Sequence, residues 1–157
     1  MSKSTFTFED NSEKFLRAFE KCSIDFLNEA KDSLVAQTQR NTPVDKGDLK
    51  RSFGTDSYVD ENKLAAYIGS SLEYYIWIEK GTGEYAIDGD GRKGGWWYKN
   101  PKATLNKDGS VRKNSKHRGW VFTYGTKPKR MLYKAYLSKR KKISFEAGKH
   151  YARLSNG

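Results

Sequence analysis

Asp88, Gly89, Asp90 and Gly91 open like a calcium-binding loop, in which alternate acidic side chains supply oxygen ligands around a tight glycine turn. The twelfth loop position, where a bidentate carboxylate is needed, falls on Lys99, so the segment reads as a turn. The glycines around Arg92 and Lys93 suggest a phosphate cradle, but no Gly-Lys-Ser/Thr ending follows. Glu73 and Glu79 are a spaced pair of carboxylates of the kind used in proton transfer, yet neither has a histidine or metal cluster nearby in sequence. Cys22 is alone and His117 and His150 are isolated, which leaves no disulfide framework or zinc site within one chain. Cys22 is expected as a small core residue of the first helix, and both histidines at the surface. No catalytic residue, metal or cofactor is expected, and the chain does not read as an enzyme.

Charge is organised on a larger scale. Residues 1–91 hold 11 Lys or Arg against 17 Asp or Glu, a net −6; residues 92–157 hold 19 against 2, a net +17. A chain so divided can join head to tail with copies of itself, or set its basic half against an anion. The candidate contacts are Arg92, Lys93, Lys99, Lys102, Arg112, Lys113, Lys116 and Arg118, and further on the run Lys139, Arg140, Lys141 and Lys142. Aromatic residues are interleaved with them, and Trp96, Trp97 and Trp120 are suited to stacking on bases. A solvated basic face is the simplest alternative for any single one of these cations.

These residues need elements to position them. At 157 residues the chain fits one domain, 1–157, with a real though modest core. No apolar run approaches the roughly 18 residues that span a bilayer, and the first residues lack the pattern of a secretion signal. A soluble protein made in a cytoplasm is expected. The spacing of Phe15, Phe19, Cys22, Phe26, Ala30 and Leu34 predicts a long helix over 10–39, with Asp10 and Glu13 as a capping pair. Such a helix runs roughly 45 Å, longer than a compact domain of this size, so part of it should project or pack on a neighbour.

Pro43 ends that helix, and Asp45 is placed to cap a short helical turn through Leu49 and Arg51. Gly47 within that turn points to tight packing or an unusual backbone angle. Phe53, Thr55, Ser57 and Val59 alternate, Asp60-Glu61-Asn62 is turn chemistry, and Leu64, Ala66 and Ile68 alternate on the return, which predicts a hairpin. Tyr75, Ile78 and Ile76 can share one side of a short helix or strand closed by Gly81-Thr82-Gly83. Trp96-Trp97-Tyr98 and the run from Trp120 to Tyr124 are strand candidates. Between them, residues 84–119 read as an extended basic arm, with Lys107-Asp108-Gly109-Ser110 as its hairpin tip. A last helix over 128–147 starts with Pro128 in its first turn. The fold class is α+β: an antiparallel sheet packed against a long N-terminal and a C-terminal helix, with an extended basic hairpin or loop.

Two segments carry a resemblance. Thr42, Pro43, Val44, Asp45, Gly47, Leu49 and Ser52 stand in the first; Tyr75, Glu79, Gly81 and Thr82 stand in the second. Together they resemble the minor tail component or neck family of long-tailed bacteriophages, whose members read roughly T-P-V-D-T-G-x-L-x-x-S, then Y-A-x-Y-V-E-x-G-T, then a Pro-led C-terminal helix. Where members usually show Pro-Phe-Leu, this chain has Lys127-Pro128-Lys129-Arg130-Met131-Leu132, and its stretch between Gly83 and the last helix looks enlarged.

The resemblance implies a structural virion protein of the neck, assembled in the bacterial host cytoplasm. It would form a homo-oligomeric ring that joins the head connector to the tail, in tail completion or head-tail joining. Its implied partners are copies of itself, the neighbouring connector and tail proteins and, in the channel, packaged DNA; no membrane is involved. The alternatives are a tail terminator ring of a phage or tail-like bacteriocin, and a nucleic-acid-binding domain that uses the basic C-terminal half.

Overall fold

The computed structural model describes residues 10–100 and 119–155. The described chain is α+β, and it divides into two compact units, one of residues 1–70 with 133–157 and the other of residues 71–132. The expected hairpin tip at Lys107 to Ser110 lies outside the described residues.

The first unit is built on α1 (Ser12–Asn41), 30 residues long. Its N-cap is Asn11, one residue later than the expected Asp10–Glu13 pair would place it. With Asn11 as cap, the third helical position is Lys14, so Glu13 cannot reach back and instead meets Arg17 at 3.4 Å. Asp10 still serves this end: its Oδ1 accepts the Ser12 N–H at 2.9 Å, and that hydrogen bond holds its carboxyl below the usual range. At the other end, the hydroxyl of Thr38 donates to the Leu34 carbonyl at 2.8 Å and that of Thr42 to the Thr38 carbonyl at 2.7 Å. Thr42 is already extended, as the residue before a proline must be.

The apolar stripe of α1 meets the end of α4 (Met131–Ala152). Phe19 stacks on Tyr151 at 5.6 Å, and Phe26 lies tilted on His150 at 5.7 Å. Cys22, half-buried, donates its thiol hydrogen to the His150 carbonyl at 3.2 Å. His150 departs from the surface position expected of it: its side chain is only 14 % exposed, and its Nε2 lies 3.0 Å from a Glu29 carboxylate oxygen. The ring is amphipathic, so one edge covers Phe26 while a nitrogen keeps a polar partner. Phe15 and Leu16, at the start of α1, stay more than half exposed.

Helix α2 (Asp48–Asp56) packs on α1 and supplies the heart of the core. It begins after Gly47, not at Asp45: Gly47 is the N-cap, in the left-handed region at φ 85°. Asp45 makes no cap because the chain turns into helix two residues after it. Leu49, Ser52 and Phe53 recur at helical spacing and are buried, Phe53 completely. Phe53 and Thr55 are thus part of this helix, Ser57 is its extended C-cap, and the first strand starts later than expected. It forms β1 (Tyr58–Asp60), antiparallel to β2 (Ala65–Tyr67), with Val59 opposite Ala66. The Asp60 carboxylate accepts the Lys63 N–H at 3.2 Å and so shapes the predicted turn.

The second unit holds α3 (Tyr75–Lys80) and a ribbon of β3 (Trp96–Lys99) antiparallel to β4 (Trp120–Thr123). Tyr75 and Ile78 share the inner side of α3, whereas Ile76 and Trp77 are exposed. Among the described residues the strands form two separate two-stranded sheets, one in each unit, in place of the expected single sheet. Pro128 is not in the first turn of α4, which starts at Met131 after Arg130 adopts a left-handed φ of 52°. The reason is that the residues between are held elsewhere: Lys129 N–H donates to the Ile78 carbonyl at 2.8 Å and Arg130 N–H to that of Glu79 at 3.2 Å.

Candidate functional site

Within the second unit, the motif residues Glu79, Gly81 and Thr82 are drawn to the segment from Thr126 to Leu132. A six-residue helix leaves most of its C-terminal carbonyls without intrahelical partners, and α3 finds them partners in Lys129 and Arg130. Glu79 acts twice, because its carbonyl takes Arg130 and its carboxylate accepts the Leu132 N–H at 3.2 Å, at the start of α4. Acceptors at a helix start satisfy free N–H groups and complement the dipole. Gly81 then reverses the chain at φ 79° and ψ 175°, a region essentially reserved for glycine. A Cβ there would meet the Thr126 carbonyl oxygen at 2.8 Å and Pro128 at 2.9 Å. Thr82 pairs with Thr126 in both directions: its N–H donates to the Thr126 carbonyl, and its hydroxyl oxygen accepts the Thr126 N–H, each at 2.9 Å. Tyr75, on the inner side of α3, is held above its ordinary pKa of 10.0 by burial and then by the nearby Glu79 charge.

The first motif lies in the other unit and does the equivalent work between α1 and α2. Thr42 is buried and closes α1, Gly47 supplies the left-handed turn, and Leu49 fills the core. Ser52 donates its hydroxyl to the Leu49 carbonyl at 2.9 Å and so accepts from the Ser70 hydroxyl at 2.7 Å. Val44 is largely exposed. Thr42, Gly47, Leu49 and Ser52 thus set the local geometry where α1 leads into α2.

The predicted cations are spread over both units. Arg92 sits over the Trp96 ring at 5.5 Å, while Lys93 and Lys99 are exposed. Lys139 is half-buried, and Arg140, Lys141 and Lys142 are exposed on α4. Lys102, Arg112, Lys113, Lys116 and Arg118 lie outside the described residues. Asp88, from the calcium-like segment, pairs with Lys80 at 2.7 Å, and that bond raises the Lys80 pKa. Among the described residues, no group of three or more His, Cys, Asp or Glu could hold a metal ion. No helix among them is long and apolar enough to cross a membrane.

The ribbon adds a face that residue types alone did not delimit. Residues directly opposite on antiparallel strands point to the same side, and Trp97 faces Phe122 while Lys99 faces Trp120. Trp97 and Phe122 meet edge to face at 5.2 Å, and Phe122 meets Tyr124 likewise at 5.1 Å. Trp97, Trp120 and Tyr124 are 40 %, 42 % and 47 % exposed. Trp96, by contrast, is turned to the other face, where it closes on Gly83. Period-two alternation within the two aromatic runs was the signal that could have separated Trp97 from Trp96.

No curated protein and no solved structure matches the chain. A family model does match, over residues 6–81, just under half of the chain, and its span takes in α1, α2, the β1–β2 hairpin and α3 up to Gly81. The family is HK97-gp10-like, described as "Bacteriophage HK97-gp10, putative tail-component". Both motif segments fall within that span apart from Thr82, so over residues 6–81 this chain is similar to the HK97-gp10-like family of phage tail components.

Proposed function

We propose that the chain is a structural subunit of the phage neck, forming a homo-oligomeric ring that joins the head connector to the tail. The observation that carries this reading is the family match over residues 6–81, reinforced by the architectural roles of Thr42, Gly47, Leu49, Ser52, Glu79, Gly81 and Thr82. Two further features fit a subunit. Phe15 and Leu16 stand exposed at the start of α1, and Tyr133, Tyr136 and Leu137 form an exposed apolar patch at helical spacing on α4. Apolar surface of this kind is covered in an assembly. The division of charge between residues 1–91 and 92–157 favours contacts in which unlike halves of adjacent subunits meet.

The reading assigns the protein to the virion, with connector and tail proteins as partners and no catalytic step. Deleting its gene from the phage and imaging the lysate tests it. DNA-filled heads and separate finished tails are expected. Joined, infective particles would overturn the reading, and tails of irregular length would reassign the chain to a tail terminator.

A further inference from the structure

We propose that the exposed face of the β3–β4 ribbon is a binding site for single-stranded nucleic acid, with Trp97, Trp120 and Tyr124 as stacking surfaces and Lys99 as a phosphate contact. Three observations converge on it. First, Trp97, Lys99 and Trp120 share one side of the ribbon by register, Tyr124 joins it through its ring contact with Phe122, and the three aromatic residues are each at least two-fifths exposed. Second, Trp97, Phe122 and Tyr124 hold one another edge to face at 5.2 and 5.1 Å, so the platform is ordered before any ligand arrives. Third, the platform stands in the basic half of the chain, and Lys99 extends it directly opposite Trp120.

Charge arithmetic favours a polyanion over a second copy as the occupant. Each copy brings −6 in residues 1–91 against +17 in residues 92–157, so identical copies leave +11 per subunit however they are joined. An assembly of such copies gathers that surplus, and only an anion from outside neutralises it. Among polyanions, a single strand suits exposed rings, because its bases are free to stack and every base has a π face, whereas a duplex hides them. The platform makes no base-edge pattern, so binding is expected to be sequence-tolerant. A ring is not required for it.

The test uses the purified full chain with a fluorescently labelled oligothymidine and a duplex of the same length, read by anisotropy over a range of salt. The single strand is expected to bind at least tenfold more tightly than the duplex, with affinity falling as salt rises. Trp97→Ala and Trp120→Ala should each weaken single-strand binding roughly tenfold, while Trp97→Phe retains most of it. Should Trp97→Ala fail to fold, Tyr124→Ala reads the same face. Equal binding of both oligonucleotides with no effect of these substitutions would overturn the site, as would no binding at all. A Trp97→Ala protein with unchanged oligonucleotide affinity but a changed assembly mass would identify the face as a protein contact instead, and also overturn it.

Discussion

The carboxylate of Glu79 accepts the backbone N–H of Leu132 at 3.2 Å, joining the end of one helix to the start of another across 53 residues. The same residue's carbonyl takes the N–H of Arg130. A short helix that would be marginal alone is thereby built into the unit around it. Replacing Glu79 by Ala removes the acceptor and should cost about 1 kcal/mol, in the range of a lost helix cap. Glu79→Gln keeps an oxygen in place and should cost less. Urea unfolding of the three proteins compares them.

Gly81 and Gly89 both have positive φ, at 79° and 74°, but their surroundings differ. A Cβ at Gly81 would press on Thr126 and Pro128, whereas at Gly89 nothing lies within 4 Å. Gly89→Ala should therefore cost only about 1 kcal/mol, the backbone strain alone. Gly81→Ala should cost clearly more, about 3 kcal/mol or above, because backbone strain and overlap add. Thermal melts of both variants would show the gap, and equal melting temperatures would refute the crowding argument.

Phe53 has no exposed surface and lies on α2, the helix that packs on α1. Truncation to Ala should destabilise by about 3 to 5 kcal/mol. Val44→Ala, at a largely exposed motif position, should change stability by less than about 0.5 kcal/mol. The contrast separates motif residues that hold the fold from one that does not, and chemical denaturation measures both.

Tyr75 is raised above its ordinary value of 10.0, by burial first and by Glu79 second. The folded state therefore favours the protonated phenol. Its contribution to stability is complete below pH 10 and is lost as pH rises through the higher folded value. Stability should fall on the alkaline side, and Tyr75→Phe should flatten that fall. Absorbance titration should show one tyrosine ionising later than the exposed ones, and the late step should vanish in the variant.

The long helix, the aromatic strands and the α+β class were legible because each rests on local periodicity. The stripe from Phe15 to Leu34 repeats at helical spacing over several turns, and few tertiary forces could overrule it. Phe53 was harder, since Phe53, Thr55 and Ser57 satisfy strand alternation while Leu49, Ser52 and Phe53 satisfy a helix. Burial of Leu49, Ser52 and Phe53 on one side of a helix that packs on α1 decided for the helix, and sequence spacing does not contain that information. Pro128 failed for a related reason: a proline permits a helix start but does not compel one, and the hydrogen bonds of Lys129 and Arg130 to α3 moved the start to Met131. His150 was expected at the surface from its place near the tail, while its partners Phe26 and Glu29 lie more than a hundred residues away in sequence.

In the candidate site, Gly81 was visible as a stop signal, but its partner Pro128 was not, since only the fold brings them together. The basic run was plain from composition. Which aromatic rings share a face with Lys99 depended on strand register, which the pairing of Trp97 with Phe122 supplies.

The most direct test of the central claim is the mass of the purified protein by light scattering, at low and at high salt. A single multimer of fixed subunit number, persisting at high salt because the apolar residues Phe15, Leu16, Tyr133, Tyr136 and Leu137 hold it, is the predicted result. A monomer at every salt and at high protein concentration would contradict the ring.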